Sequence, residues 1–228
     1  MTNNADTYKQ MVGSAAADLI EDGMVIGLGT GTTAAFLVSA LAERLRNGLR
    51  IVGAVPTSQE TAQLAGSLGI PLVSLETYPE LDLAIDGADE IDPQLNLIKG
   101  GGGALLREKV VASAARRFVV ISDASKLVPR LGVHFDLPVE VVPFALAPVR
   151  RRLEALGASV QLRGREGAVF LTDNQNNILD CHFPAGIADP LDLQTRIRAI
   201  VGVVEHGLFL KMAQTALVAG ANGVITLP

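Results

Sequence analysis

The 228-residue sequence contains no tryptophan, and aromatic residues make up only 4% of it. A module that binds nucleic acid by stacking on the bases needs more aromatic side chains. The net charge of −5 and the pI near 5.2 also argue against broad binding to a phosphate backbone, which requires a basic surface. We therefore expect no nucleic-acid partner. A small anionic ligand is compatible with this composition, because it needs only local donors.

Cysteine and long apolar runs are also scarce. Cys181 is the only cysteine, so an intrachain disulfide is excluded. No apolar run reaches the roughly 20 residues of a membrane span, and the start of the chain lacks the pattern of a signal peptide. These features predict a cytoplasmic protein with no membrane partner.

The first half of the chain alternates short apolar runs with segments of helical periodicity. This alternation predicts an α/β fold, in which a Rossmann-like parallel sheet has helices on both faces and binds ligands at the carboxyl ends of its strands. The predicted helices span residues 7–21, 32–46, 58–68 and 104–115, and the predicted strands span 24–27, 50–54, 71–74, 81–86 and 117–122.

The pattern changes near residue 130, where several short strands with two helices predict a smaller α+β domain. The strands are expected at 137–142, 159–162, 168–171 and 178–182, and the helices at 148–156 and 192–199. Segments 203–210 and 215–227 are apolar enough to rejoin the first domain. The predicted Rossmann-like domain therefore comprises residues 1–130 and 203–228, and the small domain 131–202.

A glycine-rich turn, GLGTGTT at residues 27–33, follows the first predicted strand and begins a helix. Free N–H groups at the helix start, together with three threonine hydroxyls, can hold an anion. A dinucleotide fingerprint would need glycine at position 32, and a P-loop would need a lysine. An ordinary tight turn with a helix cap is the alternative.

An acidic segment, DGADEID at residues 86–92, leaves the end of another predicted strand. Carboxylates at that edge can bind sugar hydroxyls, transfer protons or hold a hard cation. Asp86 and Asp89 are the better candidates among its four acids. The alternative is a solvated acidic loop.

Lys99 and four consecutive glycines, residues 100–103, precede the helix that carries Glu108. A glycine run costs conformational entropy, so we expect bare N–H groups that bind an anion or a developing oxyanion. Helical spacing surrounds Glu108 with apolar residues, namely Ala104, Leu105, Val111 and Ala112. An apolar setting raises the pKa of a carboxyl group, which suits a base that takes and returns a proton. The alternative is a surface ion pair.

These segments together resemble the ribose-5-phosphate isomerase A family over nearly the whole chain. The matching pieces are GLGTGTT at 27–33, DGADEID at 86–92, KGGGGALLREK at 99–109, SDASKLV at 122–128, LPVEVVPF at 137–144, TDNQNNILD at 172–180 and GVVEHGLF at 202–209. The resemblance implies reversible conversion of D-ribose 5-phosphate to D-ribulose 5-phosphate in the non-oxidative pentose phosphate pathway. It also implies a homodimer, with a tetramer as the alternative.

The resemblance implies a role for individual residues as well. Glu108 would be the proton acceptor, with Asp86 and Lys99 assisting the chemistry. Lys126, with Lys9, would bind the phosphate. The implied substrate-binding residues are Thr30, Gly31, Thr32, Thr33, Asp86, Gly87, Ala88, Asp89, Lys99, Gly100, Gly101, Gly102, Lys126 and Lys9. No metal site is visible in the sequence, and the enolisation needs no redox cofactor.

Two other functions suit the same sheet and glycine architecture. A non-catalytic sugar-phosphate sensor would need a DNA-binding extension, and residues 1–23 are too short for a helix-turn-helix module. An amino-sugar phosphate deaminase or an acyl-CoA transferase is the second alternative. The intact KGGGG and REK motifs argue against that alternative.

Overall fold

The computed structural model describes residues 4–228, which form six α-helices and fifteen β-strands. The helices are α1 (Asn4–Ala17), α2 (Thr32–Arg46), α3 (Gln59–Ser67), α4 (Leu105–Ala114), α5 (Leu146–Glu154) and α6 (Pro190–Arg198). The strands are β1 (Val25–Leu28), β2 (Gly53–Pro56), β3 (Leu83–Gly87), β4 (Glu90–Ile91), β5 (Leu97–Ile98), β6 (Phe118–Asp123), β7 (Leu137–Val141), β8 (Ser159–Leu162), β9 (Gly164–Arg165), β10 (Ala168–Val169), β11 (Asn177–His182), β12 (Val203–His206), β13 (Leu208–Phe209), β14 (Thr215–Gly220) and β15 (Gly223–Leu227). None of the described helices is both long and apolar enough to cross a membrane.

The chain divides into two compact units. Unit 1 contains the described residues up to Ala88, together with Arg107–Lys126 and Met212–Pro228. Unit 2 contains Asp89–Leu106 and Leu127–Lys211. The division predicted from the sequence, 1–130 and 203–228 against 131–202, differs because it places residues 89–106 and 203–211 in the first domain. Strands β4, β5 and β13 from these two segments pair with one another in a three-stranded sheet of unit 2.

Unit 1 is built on a six-stranded sheet in the order β15-β14-β6-β3-β1-β2. All neighbours pair in parallel except the edge strand β15, which is antiparallel to β14. The parallel sheet confirms the predicted α/β fold class. A predicted strand at 71–74 is wrong, because that segment makes only an isolated bridge between Ala54 and Leu72.

Alternation along the strands gives the unit 1 sheet two different faces. One face packs on α1 and α2, and its buried cluster includes Ile26, Leu28, Leu83, Ile85, Val12 and Leu37. The intervening residues, Gly27, Ala84 and Asp86, point to the opposite face. There Val111 of α4 fills the space beside Gly27. Helices therefore cover both faces, and Asp86 shares its face with α4.

Unit 2 contains a four-stranded antiparallel sheet in the order β12-β7-β11-β8. Helix α5 packs on β8 and β11, and α6 packs on β12. Val149 and Leu153 of α5 and Ile197 of α6 are buried in one cluster with Val139 and Val141 of β7. The antiparallel sheet and its two helices give unit 2 the predicted α+β character.

Candidate active site

Polar residues follow the carboxyl ends of the parallel strands of unit 1. Residues 29–33 follow β1, Thr57 follows β2, Asp86 and Gly87 end β3, and residues 124–126 form a 3₁₀ turn after β6. Because these strands are parallel, their carboxyl ends lie at one edge of the sheet, where ligands bind in such folds.

Two glycines of the first turn are required by close neighbours. A Cβ on Gly29 would overlap the Asp86 carboxylate and lie 2.6 Å from the Asp86 Cα. A Cβ on Gly27 would collide with the Val111 side chain and lie 3.0 Å from the Ala84 Cβ. Glycine at these two positions therefore lets β3 and α4 approach β1 closely.

Asp86 is buried and is held by backbone N–H groups. Its Oδ1 atom accepts hydrogen bonds from the N–H groups of Thr30, at 3.1 Å, and Gly87, at 2.7 Å. The Thr30 N–H is thus engaged by Asp86. This differs from the prediction that the turn leaves its N–H groups free for an anion.

The Thr30 hydroxyl belongs to a small network that ties β1 to the start of α3. It is hydrogen-bonded to the hydroxyls of Thr57, at 2.7 Å, and Thr61, at 3.2 Å. The Thr61 hydroxyl in turn donates to the carbonyl of Gly29 at 3.0 Å. Sequence reasoning did not select Thr57 or Thr61. The position of Thr57, three residues after the predicted strand at 50–54, was the available signal.

The start of α2 is open toward solvent. Gly31 occupies the N-cap position with φ of 100°, and no side chain caps the helix there. Gly31 and Thr32 are exposed, and Thr33 is half-buried. The first N–H groups of a helix have no intrahelical acceptor, so this helix start can bind an anion.

Glu108 lies on α4 and is only 5% exposed. It lines a small pocket together with Asp86, so two buried carboxyl-bearing side chains border one narrow gap, too tight for a water molecule, at the carboxyl edge of the sheet. The other lining residues are Gly27, Gly29, Thr57, Ala84, Ile85, Val111, Ala112 and Phe118. Val111 and Ala112 are two of the apolar helix neighbours predicted for Glu108. Such a carboxyl group, among apolar side chains and beside a second acid, can accept and return a proton.

The two predicted phosphate-binding lysines also belong to unit 1. Lys126 ends the 3₁₀ turn after β6 and is half-buried. Lys9 lies on α1 and forms an ion pair with Asp6 at 3.8 Å. Neither of these described lysines lines the pocket that Asp86 and Glu108 share.

Lys99 is buried in unit 2, directly after β5. Its N–H donates to the carbonyl of Gly207 at 2.9 Å. Its ammonium group lies 5.5 Å from the centre of the Phe209 ring, which is a favourable cation–π distance. Phe209 was not selected by sequence reasoning.

The glycine run after Lys99 has conformational and packing causes. Gly100 and Gly103 have φ of 107° and 85°, which favour glycine. The Gly101 N–H donates to the Asp89 carboxylate at 2.8 Å, and a Cβ there would lie 2.7 Å from Asp89 Oδ1. The Gly101 amide is therefore engaged within the protein, where bare N–H groups were predicted. Gly102 is exposed.

The remaining two acids of the segment 86–92 stabilise loops of unit 2. Glu90 accepts hydrogen bonds from the N–H groups of His134, at 2.6 Å, and Phe135, at 2.8 Å. Asp92 accepts from the N–H groups of Gln94, at 2.9 Å, and Asn96, at 2.8 Å. Glu90 and Asp92 are therefore engaged with the backbone of unit 2, and the choice of Asp86 and Asp89 as the chemical candidates stays a prediction.

Comparison with known proteins adds independent evidence. The model of a family described as ribose 5-phosphate isomerase A (phosphoriboisomerase A) matches residues 53–223. The ribose-5-phosphate isomerase A of Roseiflexus castenholzii is 56% identical over 223 residues, which cover 96% of this chain and 94% of the relative. That of Synechococcus sp. (strain JA-3-3Ab) is 55% identical over 227 residues, which cover 98% of both chains.

Solved structures agree with the sequence match. Ribose 5-phosphate isomerase A from Methanocaldococcus jannaschii is 44% identical with a TM-score of 0.92, covering 97% of this chain and 98% of the other. A D-ribose-5-phosphate isomerase in complex with phospho-erythronic acid is 41% identical with a TM-score of 0.95, covering 99% of both chains. These findings confirm the resemblance drawn from the motifs, and the chain belongs to the ribose-5-phosphate isomerase A family.

Proposed function

We propose that this chain interconverts D-ribose 5-phosphate and D-ribulose 5-phosphate, with Glu108 moving the proton. Membership of the family supports the reaction. The observation that carries the role of Glu108 is its burial in one pocket with Asp86, at the carboxyl edge of a parallel sheet. The reaction belongs to the non-oxidative pentose phosphate pathway.

The chemistry requires one base that acts on two neighbouring carbons. Glu108 removes the proton from C2 of the open-chain aldose, and the electron pair of that C–H bond forms the C1–C2 double bond of an enediolate. The C1 carbonyl electrons move onto O1. Return of the proton to C1, with transfer of the O2 proton to O1, gives the ketose. One carbon is oxidised while its neighbour is reduced, so no external oxidant or reductant is consumed.

The ligand named with one relative is consistent with this intermediate. Phospho-erythronic acid carries a planar carboxylate next to a hydroxylated chain that ends in a phosphate. A planar, negatively charged group of this kind resembles an enediolate more than it resembles the starting aldehyde. Enzymes bind such analogues tightly because their sites are complementary to the transition state. We propose that this chain binds the same acid.

The substrate-binding roles implied by the family also stand as proposals. In unit 1, the open start of α2 at Gly31–Thr33, together with Lys126 and Lys9, supplies donors for a phosphate. Asp86 exchanges a proton with a sugar hydroxyl and assists ring opening. In unit 2, Lys99 and the Gly100–Gly102 segment stabilise the oxyanion, and Gly102 is an exposed residue of that segment.

Glu108→Gln tests the proposal, because it keeps the size of the side chain and removes its basicity. We expect turnover of ribose 5-phosphate to fall by about 10²–10⁴-fold, the usual contribution of general acid–base catalysis. The KM should change little. The matched control is Glu43→Gln, an exposed glutamate on α2, which should retain wild-type turnover. Near-normal turnover in Glu108→Gln would refute the proposed role of Glu108 in proton transfer.

The homodimer is a further part of the proposal. In unit 2, Phe144 is 100% exposed and Val201 is 94% exposed, and both line the same apolar groove. Exposed apolar surface of this kind is typical of contact sites. Light scattering after size exclusion should give the mass of a dimer, and Phe144→Ser should shift it toward the monomer. Leu191→Ser, an exposed position on α6, is the control. A monomeric wild type would refute the proposed dimer.

The cytoplasmic location stays a prediction.

A further inference from the structure

We infer that Arg163 is a positioning residue for the Gly100–Gly101 segment and, through it, for Asp89. Its guanidinium Nη1 donates to the carbonyl of Gly100 at 2.7 Å and to that of Gly101 at 3.2 Å. Arg163 lies more than 60 residues farther along the chain, directly after β8, and none of the family motifs described above includes it.

The guanidinium is itself held firmly in place. Its Nε donates to Asp180 Oδ2 at 2.9 Å, and Nη2 donates to Asp180 Oδ1 at 2.5 Å, which makes a two-pronged ion pair. The side chains are only 13% and 21% exposed. The Arg163 N–H also donates to the carbonyl of Ile178 on β11. A planar guanidinium with its ion pair satisfied still has Nη1 donors, and these reach the glycine carbonyls.

The packing around the segment leaves little room for another arrangement. The Phe170 ring occupies the space that a Cβ on Gly103 would need, and the Arg163 guanidinium lies 6.0 Å from the centre of that ring. The N–H of Phe170 donates to the carbonyl of Arg163 at 3.0 Å. The segment between β8 and β11 thus supplies both the guanidinium of Arg163 and the Phe170 ring that packs against the end of the glycine run.

Fixing these two carbonyls fixes two amides. In a trans peptide the C=O and N–H groups point in opposite directions. The peptide whose carbonyl belongs to Gly100 carries the Gly101 N–H, which donates to Asp89 at 2.8 Å on the other side. The peptide whose carbonyl belongs to Gly101 carries the Gly102 N–H. Arg163 therefore orients the amide that holds Asp89 and the amide of Gly102, which is an exposed residue.

This inference rests on the proposed function, in which Asp89 and the glycine segment bind the substrate. Arg163 acts through these groups, and its own donors are directed at protein carbonyls and at Asp180. Its loss should consequently misplace the binding groups while leaving the base unaltered. A misplacement of about 1 Å in a catalytic arrangement can cost on the order of 100-fold in rate.

The primary variant is Arg163→Lys, which keeps the charge beside Asp180. A single ammonium group cannot hold both carboxylate oxygens and both glycine carbonyls at once. We expect kcat/KM for ribose 5-phosphate to fall by about tenfold or more, with a thermal midpoint close to that of the wild type. Asp180→Asn is the second variant. It leaves the arginine in place, weakens its anchor and should give a smaller loss of the same kind.

A double-mutant cycle with Asp89→Asn separates positioning from general damage. Residues that act through one shared element give non-additive effects, whereas independent sites add. The double variant Arg163→Lys with Asp89→Asn should lose little more kcat/KM than Asp89→Asn alone. Arg196→Lys, in an exposed ion pair with Asp192 on α6, is the matched control and should keep wild-type kcat/KM.

The outcomes distinguish a failure of the proposed binding role of Asp89 from a failure of the inference on Arg163. Wild-type kcat/KM in Asp89→Asn overturns the proposed binding role of Asp89. A loss in Asp89→Asn combined with normal kinetics in both Arg163→Lys and Asp180→Asn overturns the inference on Arg163. Losses that multiply in the double variant also overturn it, because they show that Arg163 acts independently of the Asp89 contact.

Discussion

Replacement of Gly29 by alanine tests how closely β1 and β3 must approach for the site to form. The added Cβ would lie 2.6 Å from the Asp86 Cα, whereas ordinary van der Waals contact begins at about 3.4 Å. The deficit of about 0.8 Å cannot be relieved by rotating the Asp86 side chain alone, since the Cα belongs to the backbone of β3. The end of β3 or the turn after β1 must move.

The expected effects are separable in size. Overpacking of this kind typically costs about 1–3 kcal/mol in the free energy of unfolding, and each kcal/mol lowers the thermal midpoint of a chain this long by about 2–4 °C. Displacement of Asp86 by nearly 1 Å should lower kcat/KM by up to about 100-fold. Calorimetry and a coupled assay of ribulose 5-phosphate formation measure the two quantities.

Gly66→Ala is the matched control, because it makes the same substitution where no atom outside its chain neighbours and its own helix backbone lies within 4 Å of the added Cβ. Gly66 lies within α3, where alanine is favoured over glycine by up to about 1 kcal/mol. This variant should be slightly stabilised and fully active. If Gly29→Ala matches the wild type in both thermal midpoint and kcat/KM, the close approach does not constrain the site and the reasoning is refuted.

Two further predictions concern buried groups of unit 2. The Glu90 carboxylate accepts hydrogen bonds from the loop at Gly132–Phe135. Glu90→Gln should lower the free energy of unfolding by about 1.5–3 kcal/mol for each of these charge-assisted bonds that is lost. An unchanged midpoint of urea unfolding would contradict this prediction. Burial, with the nearby charges of Asp180 and Asp136, raises the pKa of the Cys181 thiol, so in the folded chain the thiol stays protonated where an unfolded thiol ionises. The free energy of unfolding should therefore fall as the pH rises above about 9. Denaturant unfolding at pH 8 and 10 measures this fall, and Cys181→Ala should reduce the difference between the two pH values.

The fold of unit 1 could be predicted because its helices and strands are long enough to show their periods. Helix α2 has the predicted bounds, and β3 lies within two residues of its predicted strand. Strands β4 and β5 are two residues each, which is too short for alternation to appear. The pairing of β5 with β13 joins positions more than 100 residues apart, and this long-range pairing accompanies the placement of residues 89–106 in unit 2.

Residues of the candidate site could be predicted where they lie at a strand end or on a helix face. Residues that support the site from distant segments of the chain could not. Asp86 and Glu108 could be selected because a strand end and a helix face each have a sequence pattern. Thr61, Phe209 and Arg163 act through contacts with residues 31, 110 and 62 positions away. Phe209 ends the GVVEHGLF match, but no local pattern gives any of the three a role, because a threonine, a phenylalanine or an arginine at these positions is equally suited to an ordinary surface or core.

The glycines at residues 100–103 have a different cause in the structure from the one that the sequence pattern predicts. Four consecutive glycines predict bare amides waiting for an anion, but the Gly101 amide is already bound by Asp89, and Gly100 and Gly103 are required by their positive φ. The run therefore encodes a backbone path whose amides are oriented from inside the protein. Because Arg163 holds the carbonyl side and Asp89 holds the amide side, the segment can keep its orientation when no substrate is bound. Preorganisation of this kind lowers the cost of stabilising charge in the transition state, since little reorientation remains to be made during the reaction.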